Sequence, residues 1–324
     1  MTRMHSWLLF SLLLCTPLVA AAQDAKPAEA ARKEIQSMFG FVPGFLKAVP
    51  DVALPGAWEE MKTLQMSANT ALPPKVKELI GVAVAAQVPC RYCSYAHTQF
   101  AKLNGASETE IGEAVILASL TRHWSTVLQG FQTDVVKFRA EITKLLAHAK
   151  KIAAGQAPAP RAIEVTDANS ALKDIEQSWG SVPEFIKKFP AVALAGAWRE
   201  QRDVQMSPAT ALSGKHKSLI GLAVASQIPC RYCVIADTEF ARMEGATEAE
   251  IAEAIGMAAI TRHWSTFLNG TLADEAAFRK DIDRLIRSAK QHAAQNTPRA
   301  ANQGTAAPDK PANGTAVVAA VTTR

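Results

Sequence analysis

The sequence predicts an all-α protein in which one helical module is written twice. Two observations carry this. Residues recur at a constant offset of 140: Val42-Pro43 returns as Val182-Pro183, Gly56-Ala57-Trp58 as Gly196-Ala197-Trp198, and Pro89 to Cys93 as Pro229 to Cys233. The run Thr121 to Thr126 likewise returns as Thr261 to Thr266, so whole modules, not short solenoid repeats, are duplicated. Within each copy, apolar residues recur three and four apart, and alternating strand patterns bounded by hairpin turns are missing.

From the N-terminus, Arg3 and His5 precede an apolar run, Trp7 to Ala22, ending in Ala20-Ala21-Ala22. A short basic segment, an apolar core and a small-residue site read as a secretory signal peptide over residues 1–22, with Cys15 discarded along with it. An exported, periplasmic protein with no stable membrane insertion is the expectation. The first module covers residues 23–152 and the second, degenerate one 166–292, joined by a Pro/Ala-rich linker over 153–165. Each is large enough to bury a core of its own. Residues 293–324, rich in Ala, Thr, Asn and Pro, read as a disordered tail.

Inside the first module, Pro74 suits the first turn of a helix running to about Val88, with Val76, Leu79, Ile80, Ala83 and Val84 on its apolar face. A second helix opens at Pro89-Cys90 and stops before Gly105. Ser107-x-x-Glu110 is a capping box for a third, and Thr247-x-x-Glu250 is its counterpart. Trp58 and Trp198 read as core anchors, Glu60 and Glu200 as solvated helix residues, and Gly40 to Phe45 as a turn into a short helix. His123 and His263 read as buried core histidines beside Trp124 and Trp264, and Arg122 as a structural residue, with pairing to a carboxylate near the site as the alternative.

Composition excludes several functions. The formal net charge is +5, with basic and acidic residues interspersed, so no patch invites a nucleic acid. Four cysteines remain after the leader, in two C-x-x-C pairs whose spacing favours one local bridge within each. Ser94 and Val234 stand where haem attachment would need histidine. The two pairs sit at equivalent places on separate modules, which argues against a shared zinc site, and no cofactor is called for.

Chemistry concentrates in the first copy. Cys90, Cys93 and His97 fall three and four apart, hence on neighbouring parts of one helical face. A cysteine at a helix start meets unpaired N–H groups and the positive end of the helix dipole, which favour a thiolate, and Arg91 adds charge. His97 can take a proton from Cys93, and Glu78 on the preceding helix can face them if the two helices pack antiparallel. In the second copy Cys230 and Cys233 persist, but Ser218 and Asp237 replace the glutamate and histidine. An ionised Asp237 would be a weak base and would disfavour a Cys233 thiolate, leaving a weaker redox site or a structural disulfide.

The spacing Glu78, Cys90, Cys93, His97 resembles the motif of the alkylhydroperoxidase D-like branch of the carboxymuconolactone decarboxylase family, and the resemblance extends over both tandem modules. It implies a thiol-dependent peroxidase. Cys93 would attack the hydroperoxide, Cys90 would resolve the sulfenic acid to a disulfide, and Glu78 with His97 would relay protons, a thiol reductant of unknown identity restoring the dithiol. Tyr92 departs from members that carry a histidine just before the second cysteine, which implies a shorter relay or a slower reaction. The resemblance also implies a homo-oligomer, a trimer of fused pairs. Two alternatives stay open at this level: a thiol–disulfide oxidoreductase acting on protein cysteines, and a non-catalytic helical assembly protein with structural disulfides.

Overall fold

A computed structural model describes residues 26–296; residues 1–25 and 297–324, on which the signal-peptide expectation and most of the disordered-tail expectation fall, lie outside the described residues. The first copy comprises α1 (Lys26–Phe39), α2 (Gly44–Lys47), α3 (Leu54–Glu60), which runs on into a π turn (Met61–Gln65), α4 (Pro74–Gln87), α5 (Arg91–Leu103), α6 (Glu108–Gly130) and α7 (Val135–Ala153). The second comprises α8 (Ala168–Trp179), α9 (Glu184–Lys188), α10 (Ala191–Glu200) with its π turn (Gln201–Met206), α11 (Gly214–Gln227), α12 (Arg231–Met243), α13 (Glu248–Gly270) and α14 (Glu275–Asn296). From α4 onward each helix starts 140 residues before its counterpart. All described regular structure is helical.

Local chemistry sets the boundaries. Both capping boxes are made in full, Ser107 with Glu110 and Thr247 with Glu250. Asp134 caps α7 by accepting from the Val136 and Lys137 N–H groups at 2.9 Å. After α5 and α12 the chain turns through Gly105 and Gly245, both at φ +81°, a region where only glycine is unstrained.

The two copies do not bury separate cores. Leu79, Ile80 and Val84 of α4 and Leu117 of α6 share one apolar cluster with Leu219, Ile220 and Val224 of α11 and Met257 of α13. The outer layers are exchanged. Ile35, Leu46 and Trp58 of the first copy pack with Trp264, Leu268, Phe278 and Ile282 of the second. Conversely, Ile175, Ile186 and Trp198 of the second copy pack with Leu128, Phe138 and Ile142 of the first. The expectation of one core per module therefore gives way to a single interlocked unit. The apolar faces of α4 and α11 are too wide for their own module to cover: ten consecutive residues of α4, Val76 to Ala85, are buried.

Polar ties repeat the exchange about a pseudo-twofold. The Glu253 carboxylate accepts from the Ala71 and Leu72 N–H groups at 2.6 and 2.8 Å, and Glu113 accepts from Ala211 and Leu212 at 2.7 and 2.8 Å. Tyr92 donates to the Ala273 carbonyl and Tyr232 to the Thr133 carbonyl, each at 2.6 Å. The side chains of Gln87 and Gln227 meet at the axis. Lys77 and Lys217 are buried, each donating to a carbonyl within its π turn, Leu64 and Val204 at 2.7 Å, and to one just after it, Ser67 and Ser207. Burial holds both ammonium groups below the usual lysine range. No described helix is long and apolar enough to cross a membrane.

Candidate redox site

Cys90 is the N-cap of α5, its sulfur 3.2 Å from the Cys93 N–H, and the two cysteines form a disulfide with Cα atoms 5.3 Å apart. Cys230 and Cys233 repeat this at the start of α12. Within each pair the members differ in access. Cys90 is sealed among Ala85, Val88 and Tyr92, whereas Cys93 reaches a cavity of about 120 Å³ that Glu78 and His97 also line.

Antiparallel packing of α4 on α5 brings Glu78 to His97, as the sequence required for the two to meet. Glu78 Oε2 lies 2.7 Å from His97 Nδ1, and both side chains are buried. Gln65, from the π turn, donates to the other carboxylate oxygen at 3.2 Å. Gly81 makes the approach possible: a Cβ there would overlap the His97 imidazole.

The fourth member of this arrangement comes from the other copy. Thr261 Oγ1 lies 3.3 Å from His97 Nε2, and the Thr261 carbonyl oxygen lies 4.0 Å from Cys93 Sγ. The hydroxyl donates its own proton to the Met257 carbonyl at 2.8 Å, so towards His97 it accepts. With Nε2 carrying a proton, Nδ1 and Glu78 are left to share another. Trp264, Leu268 and Phe278 of the second copy form much of the cavity wall.

Sequence reasoning missed Thr261, and the signal was present. Ile260, Trp264 and Leu268 mark the buried stripe of α13, and that phase places residue 261 inside and 263 outside. His263 and His123 are accordingly exposed, each stacked edge-on against its neighbouring tryptophan, which corrects their reading as core histidines. Arg122 is also exposed and pairs with no carboxylate among the described residues, because the same phase turns it to solvent. Tyr92 is occupied elsewhere, bonded to Ala273 and edge-on to Phe278 at 5.5 Å, so that position joins the copies. Trp58 and Trp198 are the core anchors expected, with indole N–H groups bonded to Glu34 and Asp174 at 2.7 Å.

The second pair opens on a cavity of about 110 Å³ in which Cys233 and Asp237 are joined by Thr121 and Trp124 of the first copy. Ser218 is buried where Glu78 stands in the first copy. Asp237 lies against Gly221 as His97 lies against Gly81. Among the described residues Asp237 has no hydrogen-bond or ionic partner, and its apolar surroundings push its pKa up to about 8. The expectation of an ionised Asp237 is thereby overturned: desolvation outweighs the intrinsic acidity of the group, and the carboxyl is largely protonated at neutral pH.

The carboxymuconolactone decarboxylase family model matches the chain twice, over residues 53–133 and 193–276. The chain belongs to the carboxymuconolactone decarboxylase family. The family segment spans α3 to α6 and α10 to α13, so it contains both cysteine pairs and the helices facing them. A crystal structure of a provisionally assigned gamma-carboxymuconolactone decarboxylase subunit from Burkholderia xenovorans is similar at 17% identity and a TM-score of 0.46, covering 78% of this chain and 98% of that one. No curated protein matches. With two internal C-x-x-C disulfides on this family fold, the module is redox-capable.

Proposed function

We propose that the protein is an exported thiol-dependent peroxidase that reduces hydroperoxides through Cys93. The observation that carries this reading is the shared cavity of Cys93, His97 and Glu78, with the Glu78–His97 pair at 2.7 Å beside a cysteine whose partner is sealed beneath it. In the reduced protein the Cys93 thiolate attacks the distal oxygen of ROOH, the O–O bond breaks, and the departing alkoxide takes a proton from the Glu78–His97 pair to leave as ROH. Cys90, held at the helix N-terminus where a thiolate is favoured, attacks the Cys93 sulfenic acid and water leaves. An external thiol reductant returns the disulfide to the dithiol. A homo-oligomer of the fused pairs and a periplasmic location, supported by the leader-like run Trp7 to Ala22, complete the proposal.

Thiol–disulfide exchange with a protein partner is less well supported at this site. Cys93 is only 4% exposed and opens on a partly enclosed cavity, which a small peroxide enters more readily than a folded protein's disulfide. The deciding measurement is thiol loss from the reduced, full-length mature protein with hydrogen peroxide and with cumene hydroperoxide, beside Cys93→Ser and Cys233→Ser. Loss of the fast phase in Cys93→Ser alone is the expected result. Equal rates in wild type and Cys93→Ser overturn the assignment.

A further inference from the structure

The second pair is more than a remnant. Cys233 is not sealed like Cys230; it reaches an aromatic cavity walled by Trp124, Phe138, Trp179, Phe185 and Phe240. Asp237 follows it by one helical turn, on the same face of α12, and lines the same cavity. A structural staple has no use for an unpartnered carboxyl held in an apolar cavity, where it costs stability. A second polar group there is also unsatisfied: the Trp124 indole N–H is the one buried side-chain N or O atom without a hydrogen-bond partner among the described residues. The cavity therefore offers an acid and a disulfide sulfur within apolar walls.

We propose that Cys230–Cys233 is a second reducible disulfide that exchanges with small, uncharged, apolar thiols entering this cavity, with Asp237 as the proton donor to Cys233. The chemistry balances with the thiol as reductant. One thiol, its proton lost to solvent, attacks Cys233 Sγ; the S–S bond breaks and Cys230 leaves as a thiolate at the N-terminus of α12. A second thiolate attacks the outer sulfur of the mixed disulfide, releasing RSSR, and the Cys233 thiolate takes its proton from Asp237. Cys230 and Asp237 regain protons from solvent. Two thiols are oxidised to one disulfide, and one protein disulfide is reduced to two thiols.

The groups around Asp237 are otherwise almost uncharged. Thr121 and Trp124 face the cavity from α6, Gln201 and Gln205 from the π turn, and Ser218 and Gly221 lie behind on α11. Glu141 of α7 is the other ionisable carboxyl lining the cavity, and it accepts the Glu184 N–H at 3.0 Å. Carboxyl ionisation at Asp237 should therefore be legible in the pH profile of exchange.

The test uses the full-length mature chain carrying Cys90→Ser and Cys93→Ser, so that its outcome is independent of peroxidase activity. The oxidised protein is exposed to benzyl mercaptan or to the anionic 2-mercaptoethanesulfonate, alkylated at timed intervals and weighed by mass spectrometry. Reduction at least tenfold faster with benzyl mercaptan at equal thiolate concentration is expected. The profile should carry an inflection near pH 8 that Asp237→Asn abolishes and Glu141→Gln retains. Equal rates with the two thiols, reduction only after unfolding in guanidinium, or an inflection unchanged in Asp237→Asn each overturn the proposal. Circular dichroism of Asp237→Asn checks that the variant is folded, and a folded variant with the wild-type profile counts against it.

Discussion

The Thr261 hydroxyl lies 3.3 Å from Nε2 of His97, across 164 residues of sequence and from one copy of the module to the other. Its proton is committed to the Met257 carbonyl, so it fixes His97 as a donor on that side and leaves Nδ1 to Glu78. Thr261→Val keeps the shape and removes the acceptor. A hydrogen bond of this kind contributes about 1 kcal/mol, so thiol oxidation by cumene hydroperoxide should slow roughly fivefold. Stopped-flow rates of Thr261→Val and Thr121→Val check this, because the latter substitution sits at the second site and should leave the rate unchanged.

Removing the Glu78 carboxyl should cost more. Glu78→Gln and His97→Asn are each expected to slow oxidation by about 100-fold or more, as for a lost general acid–base group. In the proposed mechanism the two share one proton pathway, so the double variant should be scarcely slower than either single one. Full multiplicativity of the two losses would mean that they act independently.

Gly81 is a packing requirement of the same site. Gly81→Ala places a methyl group where the imidazole of His97 lies, so His97 must leave Glu78. Overpacking of this kind costs about 1–3 kcal/mol. Guanidinium unfolding should show that loss, together with a peroxide rate close to that of His97→Asn.

Asp237 makes stability depend on pH in a defined window. Its folded pKa of about 8 lies above the ordinary value near 4 expected in the unfolded chain. Below about pH 4 both states hold the proton; between about 4 and 8 only the unfolded chain releases it, so stability falls as pH rises; above 8 the effect is complete. Asp237→Asn removes this slope. Its stability relative to wild type should improve by about 1–3 kcal/mol between pH 4.5 and pH 8.5, read from denaturant midpoints of the oxidised proteins.

Glu253 tests the interlocking itself. Its carboxylate takes two backbone N–H groups of the first copy, Ala71 and Leu72, in bonds of the charge-assisted kind. Glu253→Ala should destabilise the whole chain by about 1–3 kcal/mol in one cooperative transition. Two resolved transitions would instead mark modules that unfold separately.

Local rules made the helices readable. Pro74, the Ser107–Glu110 and Thr247–Glu250 boxes, and Gly105 set ends that depend on a few neighbouring residues, and the structure places them within a residue or two of expectation. The Cys90–Cys93–His97 face was readable for the same reason, as helical spacing alone aligns it. The exchange of partners was not. Periodicity shows that α4 and α13 have wide apolar faces, but an apolar stripe carries no address, and either copy could have covered it. Thr261 was overlooked because histidine draws attention in a TRHWS run, whereas the helical phase buries the threonine and exposes His263.

In a symmetric dimer of identical chains, every substitution appears at both sites at once, so neither can drift without the other. Joining the copies in one chain removes that constraint. Here positions 78 and 97 are glutamate and histidine while 218 and 237 are serine and aspartate. The freedom stops at residues that serve across the interface. Thr261 belongs to the second copy by sequence but to the first copy's site by contact, so its latitude is set by the His97 and Cys93 it touches rather than by its own half of the chain.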